Sequence, residues 1–102
     1  MDHTNAPTLQ QCQRDIVAWA NVVFPEREPR DILLKLNEEI GELIKNPVDP
    51  HEYADVMILL LDFAAFSGID GNRLLTAIGE KMEINKKRSW RVNRNTGIMQ
   101  HT

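Results

Sequence analysis

Apolar residues recur at three- and four-residue steps along most of this chain, and prolines and glycines divide the pattern into four helical segments. In the first, Ile16, Trp19, Ala20 and Val23 form one stripe. Thr8, with Gln11 three residues on, supplies a capping box, so a helix is expected from Thr8 to about Val23. The two prolines of Phe24-Pro25-Glu26-Arg27-Glu28-Pro29 make that stretch a connection. A second helix is expected from about Arg30 to Lys45, with Leu33, Leu36, Ile40, Leu43 and Ile44 as its stripe, and Asn46-Pro47 ends it. Asp49 caps a third helix and Pro50 suits its first turn. From Val56 to Phe66 this helix is apolar nearly all round, so more than one neighbour has to cover it. A chain this short supplies few neighbours, and a second copy is the natural source. Ser67-Gly68 ends the run, with Gly68 where a left-handed residue is wanted. Asp70 then caps a fourth helix from about Gly71 to Arg88, packing through Leu74, Leu75, Ala77, Ile78 and Met82.

These elements predict an all-α fold: one four-helix domain over residues 1–102, completed by homo-oligomerisation. Met1–Pro7 is expected to be a loose N-terminus. Residues 90–102, polar and without a period, are expected to form an irregular tail.

Polar residues at particular places change the picture from fold to chemistry. Glu38, Glu39 and Glu42 lie beside the stripe of the second helix, and Glu52 and Asp55 open the third. Three residues turn through about 300° of helix, so each spaced pair of carboxylates shares a face. A helical hairpin would set the two acidic faces against each other, where they repel unless a divalent cation with oxygen ligands intervenes. The alternative is ordinary solvated acidic faces, with Glu52 serving as capping-box partner of Asp49. Histidine and cysteine do not recur at zinc spacing. A four-helix di-iron site would need Glu-x-x-His, where this chain has Glu52-x-x-Asp55. Lys35 sits four residues before Glu39, in position to pair with it. Asp62 interrupts the apolar helix seven residues after Asp55, where it either supports the acidic site or makes a polar seam.

Lys81, Asn85 and Arg88 fall on one face of the fourth helix. They suit a polyphosphate, or else a solvated helix end favoured by the dipole. Trp19 either packs in a core or stacks on a base, and Trp90 either docks the tail or lines a pocket. His3, His51 and His101 are scattered and suggest no triad. Cys12 stands alone, which excludes an intrachain disulfide and fits a packed or surface thiol.

The formal net charge of −3, from 12 basic and 15 acidic residues, argues against a general nucleic-acid binder. No stable nucleic-acid complex is expected. The basic run Lys86, Lys87, Arg88, Arg91 and Arg94 keeps an alternative open: a helical DNA-associated or antitoxin-like module without hydrolysis. The N-terminus lacks an apolar signal core and Val56–Leu61 is too short to span a bilayer, so a cytoplasmic location with no membrane partner is expected.

Glu38-Glu39-x-x-Glu42, Glu52-x-x-Asp55 and Lys81-x-x-x-Asn85-x-x-Arg88-x-Trp90 together resemble the MazG-like all-α nucleoside triphosphate pyrophosphohydrolases. The resemblance runs from the first helix to Trp90. Nine residues separate Glu42 from Glu52, which suits the small dATP/dGTP diphosphohydrolase subgroup. It implies cleavage between the α- and β-phosphates of a dNTP, expected to be dGTP or dATP, giving dNMP and pyrophosphate. It implies magnesium, for which manganese substitutes, and a dimer or dimer of dimers. By position it makes Glu39, Glu42, Glu52 and Asp55 metal ligands and lets Glu38 either bind a further ion or orient the attacking water. It also makes Lys81, Asn85 and Arg88 phosphate holders. The base pocket is expected around Ile16 and Trp19.

Overall fold

The computed structural model describes residues 6–102, so the first five residues of the expected loose N-terminus lie outside it. Four helices follow one another: α1 (Leu9–Val23), α2 (Pro29–Lys45), α3 (Pro50–Phe66) and α4 (Gly71–Lys86). Their starts are set by the residues that cap them. Thr8 accepts from Gln11 N at 3.1 Å while Thr8 N donates to Gln11 Oε1 at 2.8 Å, the reciprocal box at the head of α1. Asp31 accepts from Glu28 N at 3.0 Å ahead of α2, and Asp70 accepts from Arg73 N at 2.9 Å ahead of α4. At Asp49 the cap differs from the expected box: its carboxylate accepts from His51 N at 2.9 Å. The Glu52 side chain does not close back on the cap.

α3 is the central element. It packs along α2 over the longest contact and against α1 on another side, while α4 packs on α1. The α3–α4 turn is tight because Gly68 takes φ +73°, letting Ile69 N reach back to Ala64 O at 2.9 Å. α4 begins in close contact with α1. A Cβ on Gly71 would stand 2.7 Å from the Gln10 backbone nitrogen, so only glycine fits there.

One polar side chain locks this corner. Gln13, 5% exposed, donates from Nε2 to Leu61 O (3.0 Å) and Ile69 O (2.9 Å), and its Oε1 accepts from Gly71 N (2.9 Å). Asp62, 4% exposed, is paired in both oxygens with Arg27 from the α1–α2 connection, at 2.7 Å each. The remaining Arg27 nitrogen donates to Asn21 Oδ1 and Phe24 O, and its guanidinium lies over the Phe66 ring at 5.2 Å. Asp62 is thus the polar seam, tying the connection to α3. The partner holds Arg27 protonated above its ordinary range, chiefly by the hydrogen bond.

The tail departs from expectation. Residues 90–102 form a two-stranded antiparallel hairpin, β1 (Trp90–Val92) and β2 (Met99–His101), with Trp90 opposite His101 and Val92 opposite Met99. Its turn chemistry explains it: Asn93 Oδ1 accepts from Asn95 N and Thr96 N, and Gly97 takes φ +74°. Strands of three residues are too short to show a period of two. Trp90 takes the docking role, its Nε1 donating to Asn85 O at 2.8 Å at the end of α4.

The core of a single chain is thin. Among the described residues only Ala20, Ile32, Leu61 and Ala64 are buried apolar side chains, and Tyr53, Met57, Leu60 and Phe66 of α3 stand largely exposed. The radius of gyration is 16.2 Å, against about 13 Å for a compact domain of this length. No described helix is long and apolar enough to cross a membrane.

Candidate functional site

Where α2 ends and α3 begins, the short connection folds the two acidic stretches together. Asn46 N closes on Glu42 O at 3.1 Å, and Tyr53 Oη donates to Pro47 O at 3.0 Å, fixing the turn against the first coil of α3. Glu39 from α2 meets Glu52 and Asp55 from α3, with one carboxylate oxygen of each within 4.8 Å of the others. Glu39 and Glu52 are partly buried and Asp55 is exposed. The half-buried Glu52 carboxyl is pushed up from its ordinary value by loss of solvent first. The negative charges of Asp55, Asp49, Glu39 and Glu42 add to the shift.

Glu42 and Glu38 stand outside this trio. Glu42 lies 3.7 Å from Lys45, although its charge still reaches Glu52. Glu38, 62% exposed in its side chain, pairs with Lys35 at 3.3 Å. Lys35 also reaches Glu39 at 3.4 Å, as its spacing predicts, and the pairing with Glu38 above all raises its pKa.

The acidic trio opens onto a cavity of about 950 Å³ between α1, α2 and α3. Glu39 and Asp55 are at one part of its lining. Ile16, Trp19, Ala20, Ile58 and Leu59 make apolar walls, and the Arg27–Asp62 pair also borders it. Trp19 is therefore not a core residue of the single chain. It is 56% exposed and edge-on to Phe24, with ring centres 5.8 Å apart. Nothing in the spacing of the chain singles out Arg27. The one signal for it is Asp62 itself, since an acid set in an apolar helix requires a cationic partner.

Lys81, Asn85 and Arg88 are not brought to this cavity within one chain. Lys81 and Arg88 are exposed on α4 and just beyond it. Asn85 is partly buried, and its Oδ1 is enclosed without a hydrogen-bond partner. The basic run Lys86, Lys87, Arg88, Arg91 and Arg94 is exposed.

Three oxygen donors held together against their own repulsion, two of them shielded from water, fit a hard divalent cation better than a soft one. A largely apolar cavity beside such a trio has the shape and lining of a small-molecule site.

Comparison with known proteins agrees with this chemistry. Residues 12–102 match the family model described as dATP/dGTP pyrophosphohydrolase. A dATP/dGTP diphosphohydrolase of Cyanophage S-2L is 43% identical over 96 residues, 92% of this chain and 88% of the relative. A dATP/dGTP diphosphohydrolase of Salmonella phage PMBT28 is 43% identical over 84 residues, but this chain spans only 28% of its length. Among solved structures, the Cyanophage S-2L MazG-like pyrophosphohydrolase, bound to dGDP and three catalytic Mn²⁺ ions per active site, superposes with a TM-score of 0.78 at 43% identity. The match covers 95% of this chain and 99% of that one.

Proposed function

Because this chain belongs to the dATP/dGTP pyrophosphohydrolase family, we propose that it hydrolyses a purine dNTP to the dNMP and pyrophosphate, using magnesium or manganese. The observation that carries this reading is the convergence of Glu39, Glu52 and Asp55 at an otherwise largely apolar cavity. These three carboxylates hold the cation, and Glu42, whose charge already reaches Glu52, completes the set. When bound, the cation neutralises triphosphate charge and lowers the pKa of a water. Glu38, exposed beside Glu39, accepts a hydrogen bond from the attacking water and orients it. Water oxygen adds to the α-phosphorus, the bond to the bridging oxygen breaks, and pyrophosphate leaves with that oxygen. No covalent intermediate with the chain is needed. Ile16 and Trp19 hold the base, with Trp19 presenting its ring at the cavity wall.

A panel of the ribo- and deoxynucleoside triphosphates with magnesium, scored for both products, tests this directly. Monophosphate and pyrophosphate should appear together, fastest from purine dNTPs. Orthophosphate as the first product would place the cleavage elsewhere and sink the reading.

The functional unit is a homo-oligomer, a dimer or a dimer of dimers. The exposed apolar side chains of α3 and the extended shape of the single chain support it. The far placement of Lys81, Asn85 and Arg88 gives it a chemical purpose. A second copy brings its own Lys81, Asn85 and Arg88 to the phosphates, and the enclosed amide oxygen of Asn85 is unpartnered within one chain. Sedimentation equilibrium should give a mass that is a multiple of 11.7 kDa. A lone 11.7 kDa species with full activity would exclude a shared site.

A further inference from the structure

We infer that the Arg27–Asp62 pair reads the hydrogen-bonding edge of the purine base, with Asp62 accepting from an N–H of the base. The inference rests on the proposed nucleotide reading and deepens it from "a dNTP" to the feature of the base that is recognised.

α3 acts as a ruler. Asp55 and Asp62 both border the cavity, and seven residues return Asp62 to nearly the same face of the helix. Two turns separate them by about 10.5 Å along the axis. That is about the reach of one nucleotide from its α-phosphorus to the far edge of a purine. On α3 the lining residues between them, Ile58 and Leu59, are apolar, while Glu26, Asp31 and Lys35 from the connection and α2 also border the cavity. A pyrimidine ring anchored at the same phosphates stops short of Asp62, since it lacks the second fused ring.

The pair keeps capacity to spare. Arg27 uses Nε and one Nη2 hydrogen on Asp62, and Nη1 on Asn21 Oδ1 and Phe24 O, which leaves one Nη2 hydrogen. Each Asp62 oxygen accepts once from Arg27 and retains a second lone pair. Both purines carry an N–H on this edge for such an acceptor, while the neighbouring acceptor lies in opposite order on the two bases, so the spare Arg27 hydrogen serves one of them at a time in a given pose. Guanine presents N1–H and the 2-amino group beside O6, and adenine presents its 6-amino group beside N1. The Asn21 and Phe24 contacts hold the guanidinium in place, so the acceptor is pre-positioned before substrate arrives. A buried ion pair is weak evidence for stability on its own. This one borders the cavity, where a base would meet it.

The test uses the whole enzyme and four substrates: dGTP, dATP, dCTP and the triphosphate of purine 2′-deoxyriboside, whose base has no N–H on that edge. With the wild-type chain, kcat/KM for the unsubstituted purine should fall about 10- to 100-fold below dATP, the loss expected when one hydrogen bond to a charged acceptor is not made. In Asp62→Asn the NH₂ group replaces one of the two oxygens that accept from Arg27, so one bond of the pair is lost and the acceptor that borders the cavity loses its charge. The preference for dATP over the unsubstituted purine should then shrink to about onefold. Equal turnover of dATP and the unsubstituted purine by the wild-type chain would overturn the inference, and it needs no variant to fold. So would an Asp62→Asn enzyme that loses the same factor on all four substrates, the mark of a residue that only braces the connection. Absence of pyrophosphate from every nucleotide would instead overturn the underlying activity.

Discussion

Glu39→Gln or Asp55→Asn is expected to slow pyrophosphate release on the order of a thousandfold, with helix content unchanged. Each variant removes one charge from the trio that shares a 4.8 Å neighbourhood. On the proposed function, a cation that supplies several kcal/mol of transition-state charge stabilisation would then lose a ligand. The same substitutions should act on stability in the opposite direction when no metal is present. Glu52 is raised by desolvation and by its neighbours' charges, Asp55 and Glu39 among them, so the metal-free fold carries repulsion. A raised carboxyl binds its proton at higher pH folded than unfolded. The folded chain therefore holds more protons between the two values, and stability falls as pH rises through the folded pKa. Below the unfolded value the penalty is absent. The metal-free wild-type chain should thus melt higher as pH falls toward the ordinary glutamate range, and Asp55→Asn, which removes the neighbouring charge that acts most on Glu52, should flatten that slope. Added magnesium should raise the melting temperature of the wild-type chain at neutral pH and that of Glu39→Gln much less. Thermal melts across pH, with and without magnesium, read all of this. A Glu39→Gln variant that keeps wild-type turnover would remove Glu39 from the site, and an Asp55→Asn variant that melts with the wild-type pH slope would remove Asp55 as the source of the repulsion.

That pairing of lost activity with relieved repulsion explains why the acidic site is legible in the amino-acid sequence. Carboxylates three apart on two segments joined by an Asn-Pro-Val-Asp-Pro break can only meet if the segments form a hairpin, and they do. Helix ends are legible for a similar local reason, since Thr8, Asp49, Asp70 and Gly68 act through bonds to residues no more than five away. The features that spacing does not reveal are nonlocal. Arg27 reaches Asp62 across 35 residues, and no spacing rule joins a loop arginine to a helix aspartate. Among the five acidic candidates, spacing does not say which three converge: Glu39, Glu52 and Asp55 do, and Glu38 and Glu42 lie outside, each beside a lysine of its own helix. Gln13 is hidden for the same reason: in the sequence it is one of three glutamines among residues 10 to 13, and only its burial sets it apart.

Gln13→Leu is accordingly expected to cost about 3 kcal/mol of folding stability, a large share of the ~5–15 kcal/mol that holds a domain together. Leucine matches the volume but fills none of the three bonds. Gly71 N, at the first turn of α4, loses the acceptor that serves it, and it lies too deep for water to replace it readily. Leu61 O and Ile69 O lose their donor as well. An orphaned buried group costs about 1–3 kcal/mol, and Leu61 O within α3 suffers least, so Gly71 N and Ile69 O carry most of the loss. Gln13→Glu should be no better, because a carboxylate would face two carbonyl oxygens with nothing to donate. Gln10 provides the control. Its Oε1 accepts from Asn72 N at 3.1 Å in an exposed setting, so Gln10→Leu should fall within about 0.5 kcal/mol of the wild type. Urea denaturation of the three chains measures the difference, and equal midpoints for Gln10→Leu and Gln13→Leu would refute the lock. The consequence reaches the site. α1 carries Ile16, Trp19 and Ala20 into the cavity, one to two turns beyond Gln13. An α1 loosened at that point should raise KM for the dNTP while leaving the magnesium dependence, which belongs to α2 and α3, unchanged.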